Sequence, residues 1–249
     1  MSNYYSSNHG ATFKIGNAEY HSFNYFGVYP KEPPSIPKAK ARTDYIPIPG
    51  AHGAIDLTEA LTGFPLYDNR PGTFKYTVTE RSQWLAKFND IANTLHGKVC
   101  NIELDDEPGG YYHGRVSVDE LKSSKTTGLI VITAELDPFW YARDNPYLGN
   151  WLWDPFCFDT DIVRDYSSIA ISGATQVTIT STILGGHPMF KATSDSDMTL
   201  ETAGGDEYTL PHGEQITLTD IDLPRAVEEV TWTVTGSGTL GIYIPVGRL

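Results

Sequence analysis

Glu135-Leu-Asp-Pro-Phe-Trp-Tyr141 closes an apolar run, Leu129-Ile-Val-Ile-Thr133, and opens a Pro-, Asn- and Trp-rich stretch that lasts to Phe158. The composition changes across it. Up to Tyr141 there are 13 Lys+Arg against 16 Asp+Glu, net −3; beyond it there are 5 against 15, net −10. Two differently charged halves meeting at an aromatic junction predict two domains, residues 1–141 and 142–249, and a chain of 249 residues has room for both.

In the first half, Thr73-Phe-Lys-Tyr-Thr-Val78 alternates as a half-buried strand does. Trp84, Leu85, Phe88, Ile91, Ala92 and Leu95 then fall on one face of an amphipathic helix, predicted over about residues 80–96. Thr79 is the expected N-cap, and Gly97 the expected left-handed residue after the helix. Lys98–Glu103, Tyr111–Leu121 and Gly128–Glu135 read as strands, with Pro108-Gly-Gly110 as the turn between the first two. His21 to Tyr29 is aromatic and strand-like.

Between these lies Pro30-Lys-Glu-Pro-Pro-Ser-Ile-Pro37, four prolines in eight residues, which forms neither helix nor ladder and runs extended on a surface. Lys38-Ala-Lys-Ala-Arg-Thr-Asp-Tyr45 alternates charged with small residues, the pattern of a strand with one wet face. Ile46-Pro-Ile-Pro-Gly-Ala-His-Gly53 is extended and turn-rich. Residues 30–53 are too poor in large apolar side chains to pack alone, so they are expected to form an arm or hairpin outside the core.

The second half carries short strand signals at regular spacing and no helical period. They are Tyr166–Ile171, Gln176–Thr182, Pro188–Thr193, Met198–Thr202, Glu207–Leu210, Glu214–Leu218, Val227–Thr235 and Thr239–Pro245. Short strands between tight turns predict a β-sandwich or jelly roll.

Candidate chemistry is sparse. Gly236-Ser-Gly-Thr-Leu-Gly241 has the spacing of a dinucleotide fingerprint, but a strand follows it where the fingerprint needs a helix, so a hairpin turn is expected. Asp195-Ser-Asp-Met-Thr-Leu-Glu201 opens like a calcium loop but places Leu200 where the turn glycine belongs, so a solvated loop is expected. Asp154, Asp159 and Asp161 form a further acidic group without a ligand pattern. Most of the histidines precede Gly or Pro and read as loop residues rather than bases or metal ligands. No catalytic residue, cofactor or metal site is assigned. Asp105, Asp106 and Glu107 sit at a hairpin tip, as a solvated end or as a contact. Trp151 and Trp153 share one face if they lie on a strand; they pack between the two halves or stack on sugar rings of a cell-wall polysaccharide.

A net charge of −13 lacks the basic footprint that nucleic-acid binding from outside requires, and it disfavours an anionic membrane surface. Cys100 and Cys157 lie in different halves and are expected to be free and buried, in a reducing compartment. The sequence predicts neither a cleaved leader nor a membrane span.

The order of these segments resembles the distal tail (Dit) proteins of long, non-contractile-tailed phages. The resemblance runs through Phe23 to Tyr29, Glu32-Pro-Pro-Ser-Ile36, Ile48-Pro-Gly-Ala-His-Gly53, Asp56-Leu57 and Tyr67-Asp-Asn-Arg70. It continues through the Trp84 helix, Gly114-Arg-Val116, Asp137-Pro-Phe-Trp-Tyr141, Gly186-His-Pro188 and Gly236 to Leu249. It implies a mainly β protein with an N-terminal belt domain carrying one α-helix and a C-terminal galectin-like β-sandwich. It further implies a structural, non-enzymatic role at the virion tail tip, assembled in the bacterial host cytoplasm. The protein would be a homo-oligomer, usually a hexameric ring, that joins the major tail (tube) protein to tail-associated or baseplate and receptor-binding proteins. Phage DNA would cross its lumen in transit. With that ring in mind, Lys38, Lys40, Arg42, Tyr45, Ile46 and Ile48 are candidate subunit-interface residues. Asp105, Asp106 and Glu107 are then candidate lumen-facing or subunit-contact acids.

Overall fold

Alternating burial builds both halves of the chain. A computed structural model describes residues 9–50, 52–123, 128–142 and 166–249. Two compact units emerge, Met1–Tyr141 with Leu249, and Ala142–Arg248.

The first unit contains β1 (Ala11–Ile15), β2 (Ala18–His21), β3 (Tyr29–Pro30), β4 (Tyr45–Pro47), β5 (Ala54–Asp56) and β6 (Arg70–Val78). Helix α1 (Trp84–Leu95) follows, then β7 (Val99–Leu104), β8 (Glu107–Ser123) and β9 (Gly128–Ala142). The main sheet has the order β2-β1-β7-β8-β9-β6-β3. Six inter-strand steps of ~4.8 Å would hold β2 and β3 about 29 Å apart in a flat sheet. Instead the loop between them doubles back, with the Val28 N–H donating to the Ser22 carbonyl at 3.1 Å. The sheet therefore curls until its two edges approach each other.

Inside the curl, alternate residues of β6 and β9 are buried, among them Phe74, Tyr76, Ile130, Ile132 and Leu136. Phe26 and Val28 of the doubled-back loop and Ile91 and Leu95 of α1 join the same core. Each large apolar side chain buried this way contributes about 1.5–3 kcal/mol. The Trp84 indole N–H donates to the Val78 carbonyl at 2.8 Å, which pins the start of α1 to the end of β6.

The second unit comprises β10 (Ile169–Thr180), β11 (Met189–Ser194), β12 (Met198–Glu201), β13 (Glu207–Leu210), β14 (Gln215–Thr217) and β15 (Glu229–Tyr243). Their order is β13-β12-β15-β11-β14, with β10 also against β15. β10 and β15 pair from Ile169↔Leu240 to Thr180↔Glu229. β15 meets β12 through Thr233–Thr235 and β11 through Gly238–Tyr243, so one long strand serves both ends of a curled sheet. Phe190, Leu200, Trp232, Val234 and Ile242 fill its core, with Phe190 and Trp232 edge to face at 5.4 Å. The backbone N–H of Ala142, where the chain enters this unit, donates to the carbonyl of Val246, where it leaves, at 3.0 Å. The chain is mainly β, as expected, with α1 its one α-helix among the described residues.

Several local expectations give way. Gly236-Ser-Gly238 is no turn: it runs inside β15, because a Cβ at Gly238 would sit 2.5 Å from the Thr193 carbonyl of the adjacent strand. Two predicted strands thereby fuse into β15, and two more fuse into β10. The β7–β8 turn falls at Asp105-Asp106, while Pro108-Gly-Gly110 lies within β8. α1 starts at Trp84, with Gln83 rather than Thr79 at its N-cap, and Leu85 is exposed. Gly97 takes φ +73°, the left-handed end that was expected. Residues 30–37 do make ladder contacts with β6. Lys31 donates to the Lys75 carbonyl at 2.8 Å, and Ser35 and Thr73 exchange both bonds at 2.9 Å. Pro33 and Pro34 fall between these donors, and Pro30 and Pro37 flank them, so the segment forms a sheet edge. Residues 38–44 make one isolated bridge, Ala41↔Tyr67, in place of the alternating strand.

Cys100 of β7 is a buried free thiol, pushed up to about 11 by burial. In a Cys157→Ser background at pH 8, it is expected to react with a disulfide reagent on the order of a hundredfold more slowly than a free thiol, because the thiolate is the nucleophile. Full reactivity should return in denaturant. Fast labelling of the folded chain would contradict this burial.

Candidate functional site

Large exposed apolar side chains concentrate in the first unit. Tyr45, Ile46, Ile48, Ile55 and Leu61 lie within one short stretch; Tyr25, Tyr29, Leu85 and Val99 lie elsewhere in the same unit. The stretch is built by the arm. From Tyr29 to Ala41 the chain follows β6 and the residues before it. Arg42 donates its backbone N–H to Leu66 at 2.8 Å, Asp68 donates to Lys40 at 2.9 Å, and the Arg42 Nε meets Asp68 Oδ1 at 2.5 Å. The Lys38 ammonium donates to the Leu249 carbonyl.

Beyond this anchor the chain leaves the sheet as the β4–β5 hairpin, with Tyr45↔Asp56, Ile46↔Ile55 and Pro47↔Ala54 opposite each other. Asp56 Oδ1 accepts the Thr58 backbone N–H at 2.9 Å, and the Leu57 N–H donates to Asp44 at 2.8 Å, which closes its base. Hydrogen bonds from Thr58, first its hydroxyl and then its N–H, hold the Asp56 carboxyl below the usual carboxylate range. Tyr45, Ile46, Ile48 and Ile55 are 41–56% exposed. Successive residues point to opposite faces, so apolar groups show on both sides of the ribbon. A two-stranded hairpin in water is marginal by itself. The ribbon therefore presents an exposed apolar patch with no core residue on it.

The acidic tip is partnered inside the unit. His21 Nδ1 accepts the N–H groups of Phe23 at 3.1 Å and Asn24 at 3.0 Å, so the ring carries its proton on Nε2 and donates to Asp105 at 3.2 Å. His9 and Asp106 meet at 2.6 Å, and the Tyr112 hydroxyl donates to Glu107 at 2.6 Å. The loop reading of the histidines fails at His113, which sits within β8 and pairs with Asp137 at 2.9 Å. Tyr141 donates to the same carboxylate at 3.3 Å; burial first, then Asp137, pushes its hydroxyl up to about 12. Asp197 accepts the backbone and ring N–H groups of His212, at 2.9 and 2.8 Å, which makes it part of a loop brace. Trp151, Trp153, Cys157, Asp154, Asp159 and Asp161 lie outside the described residues.

Sequence reasoning missed Arg70. It is only 2% exposed, its guanidinium stacks 4.8 Å from the Tyr112 ring centroid, and its Nε and Nη2 have no partner among the described residues. Burial lowers its pKa. A buried cation with unpaired donors costs more than an apolar side chain of similar length. Arg70→Met is therefore expected to melt at an unchanged or higher temperature, whereas Arg70→Ala, which leaves a cavity, should lose about 2 kcal/mol. Clear destabilisation of Arg70→Met would mean that the nearby Glu107 charge and the Tyr112 stack outweigh the two unpaired donors.

Among the described residues, no group of three or more His, Cys, Asp or Glu is placed to hold a metal ion. No described helix is long and apolar enough to cross a membrane. What the fold and its surfaces define is a mainly β protein of two units whose uncovered apolar side chains gather on the first. No protein-family model and no curated protein matches the sequence. Among solved structures it is similar to the Dit protein of phage SPP1, described as a paradigm of the hub adsorption apparatus in phages that infect Gram-positive bacteria. The match covers 96% of this chain and 99% of that one, with a TM-score of 0.57 and 12% identity. At that identity the likeness establishes a Dit-like fold.

Proposed function

We propose that this chain is a structural component of a phage tail tip, a distal-tail-type hub that works by assembly rather than catalysis. The observation that carries the reading is the likeness to an adsorption-hub protein along nearly the whole chain, both units included. The exposed hairpin supports it, since an apolar ribbon on a folded protomer calls for a partner. In this reading the first unit, residues 1–141, closes head to tail into a hexameric ring. The second, residues 142–249, is a galectin-like sandwich carried outside. The ring joins the tail tube to tail-associated or baseplate proteins, and DNA crosses its lumen. Prolines pre-order the arm, so less freedom is lost when it docks. Asp105, Asp106 and Glu107 line the lumen or a subunit contact, and an acidic wall would let DNA slide without adhering.

The test is the mass in solution by light scattering across a concentration series. Six chains of 27.5 kDa weigh about 165 kDa, the species expected. A monomer up to millimolar concentration would overturn the ring.

A further inference from the structure

We infer that the β4–β5 hairpin of one protomer docks on the aromatic seam of the next, the patch where the curled sheet nearly closes; the inference rests on the ring reading above.

The seam is the loop between β2 and β3. Tyr25 and Tyr29 are 54% and 47% exposed there. Tyr25 stands edge to face with Tyr20 at 5.0 Å, and Phe23 lies 5.0 Å from Tyr29. Partly exposed aromatic clusters of this kind anchor protein interfaces.

Register places the two surfaces at opposite ends of one edge. Tyr29 pairs with Thr77, Ser35 with Thr73 and Ala41 with Tyr67. At ~3.3 Å per residue, the steps from Thr77 to Tyr67 span about 33 Å. The hairpin continues beyond that point, and its own arm, Tyr45 to Gly50, reaches only about 17 Å. Among the described residues of the protomer the hairpin pairs only with itself, at the other end of the edge from the seam, so the occupant is another copy. Two unlike apolar surfaces set far apart on one protomer are what head-to-tail association requires; a two-fold dimer would use one surface twice.

Charge agrees with this pairing. Residues 43–58 carry Asp44 and Asp56 and no Lys or Arg. At the seam, Lys31 follows Tyr29 closely, and the Lys87 ammonium lies 3.4 Å from where a Cβ on Gly27 would be. Glu19 and Glu32 beside the seam are paired with Lys14 and Lys75, so Lys31 and Lys87 are the charges that the acidic rim of the hairpin meets.

The experiment places the photo-cross-linker p-benzoylphenylalanine at Ile48 in the full chain. Light- and heavy-isotope copies are mixed before irradiation, so that adducts between copies are distinguished by mass. Adducts between copies within residues 18–31 are expected, reduced at least tenfold by Tyr25→Glu with Tyr29→Glu. Because those tyrosines also pack locally, a second measurement uses charge. Lys87→Glu should weaken association about fivefold, and adding Asp44→Lys should restore it. Adducts within one copy, between two hairpins or on any other segment overturn the contact; if a ring still forms, the ring reading survives alone. No adduct and no oligomer at any concentration overturns both.

Discussion

Under the head-to-tail assembly proposed above, replacing Ile46 with Lys and Ile55 with Glu should leave the protomer folded and abolish self-association. The two residues face each other across the β4–β5 hairpin. Opposite charges there keep the hairpin paired, while like charges would open it. Both are about half exposed, so the core does not feel the change. An interface that buries their exposed half loses roughly 1 kcal/mol for each and must also desolvate two charges, at several kcal/mol per ion. A combined loss of at least about 4 kcal/mol raises the dissociation constant on the order of a thousandfold. Sedimentation velocity should show the variant as a monomer at concentrations where the proposed oligomer of the parent chain forms, with an unchanged circular dichroism spectrum. An intact oligomer would show that the ribbon is not the contact.

The second large effect is on stability. Gly114 lies in β8 where β9 passes so close that an added Cβ would be 2.1 Å from the Glu135 carbonyl oxygen and 2.7 Å from the Leu136 Cα. Both obstacles are backbone. They are fixed by the pairing of Pro71 with Glu135 and Arg70 with Leu136, so neither can move without breaking a ladder. Gly114→Ala should cost at least about 3 kcal/mol, the upper end of overpacking effects, and lower the melting temperature of the first unit by about 10 °C. Gly16→Asn is the control. Gly16 has φ +58° with nothing near its Cβ position, and Asn tolerates that conformation. Equal melting of the two variants would refute the close approach.

The fold class was legible because it depends on periodicity, which is local. β6 and β9 alternate in sequence as they alternate in burial, and the stripe from Trp84 to Leu95 coils into α1. What misled were glycines and prolines, which report two different things. At Gly97 a glycine marks a backbone turn, and its neighbours show it. At Gly110, Gly114 and Gly238 a glycine marks another strand or ring coming close, and the residues responsible are far away in sequence. Gly110 is small because Trp140 lies against it, not because the chain turns. Pro138 stays inside β9 for a comparable reason: the sheet, not the dipeptide, sets the geometry there. The arm at residues 30–53 was visible as a stretch unable to pack alone. Its attachment along β6 and the seam at Tyr25 and Tyr29 were not, because both arise from curling of the whole sheet. His21 was missed because its role as acceptor for Phe23 and Asn24 is a three-residue matter with no periodic signature.

The hydrogen bond between Ala142 and Val246 has a consequence for how such a protein diversifies. Chain entry and chain exit of the second unit lie side by side, as they do in inserted domains that tolerate exchange. A different domain could be spliced between these two positions with its own ends held side by side. Gene segments encoding residues 142–246 can therefore be traded as a cassette, so that the second unit changes while the first keeps its own sequence and core.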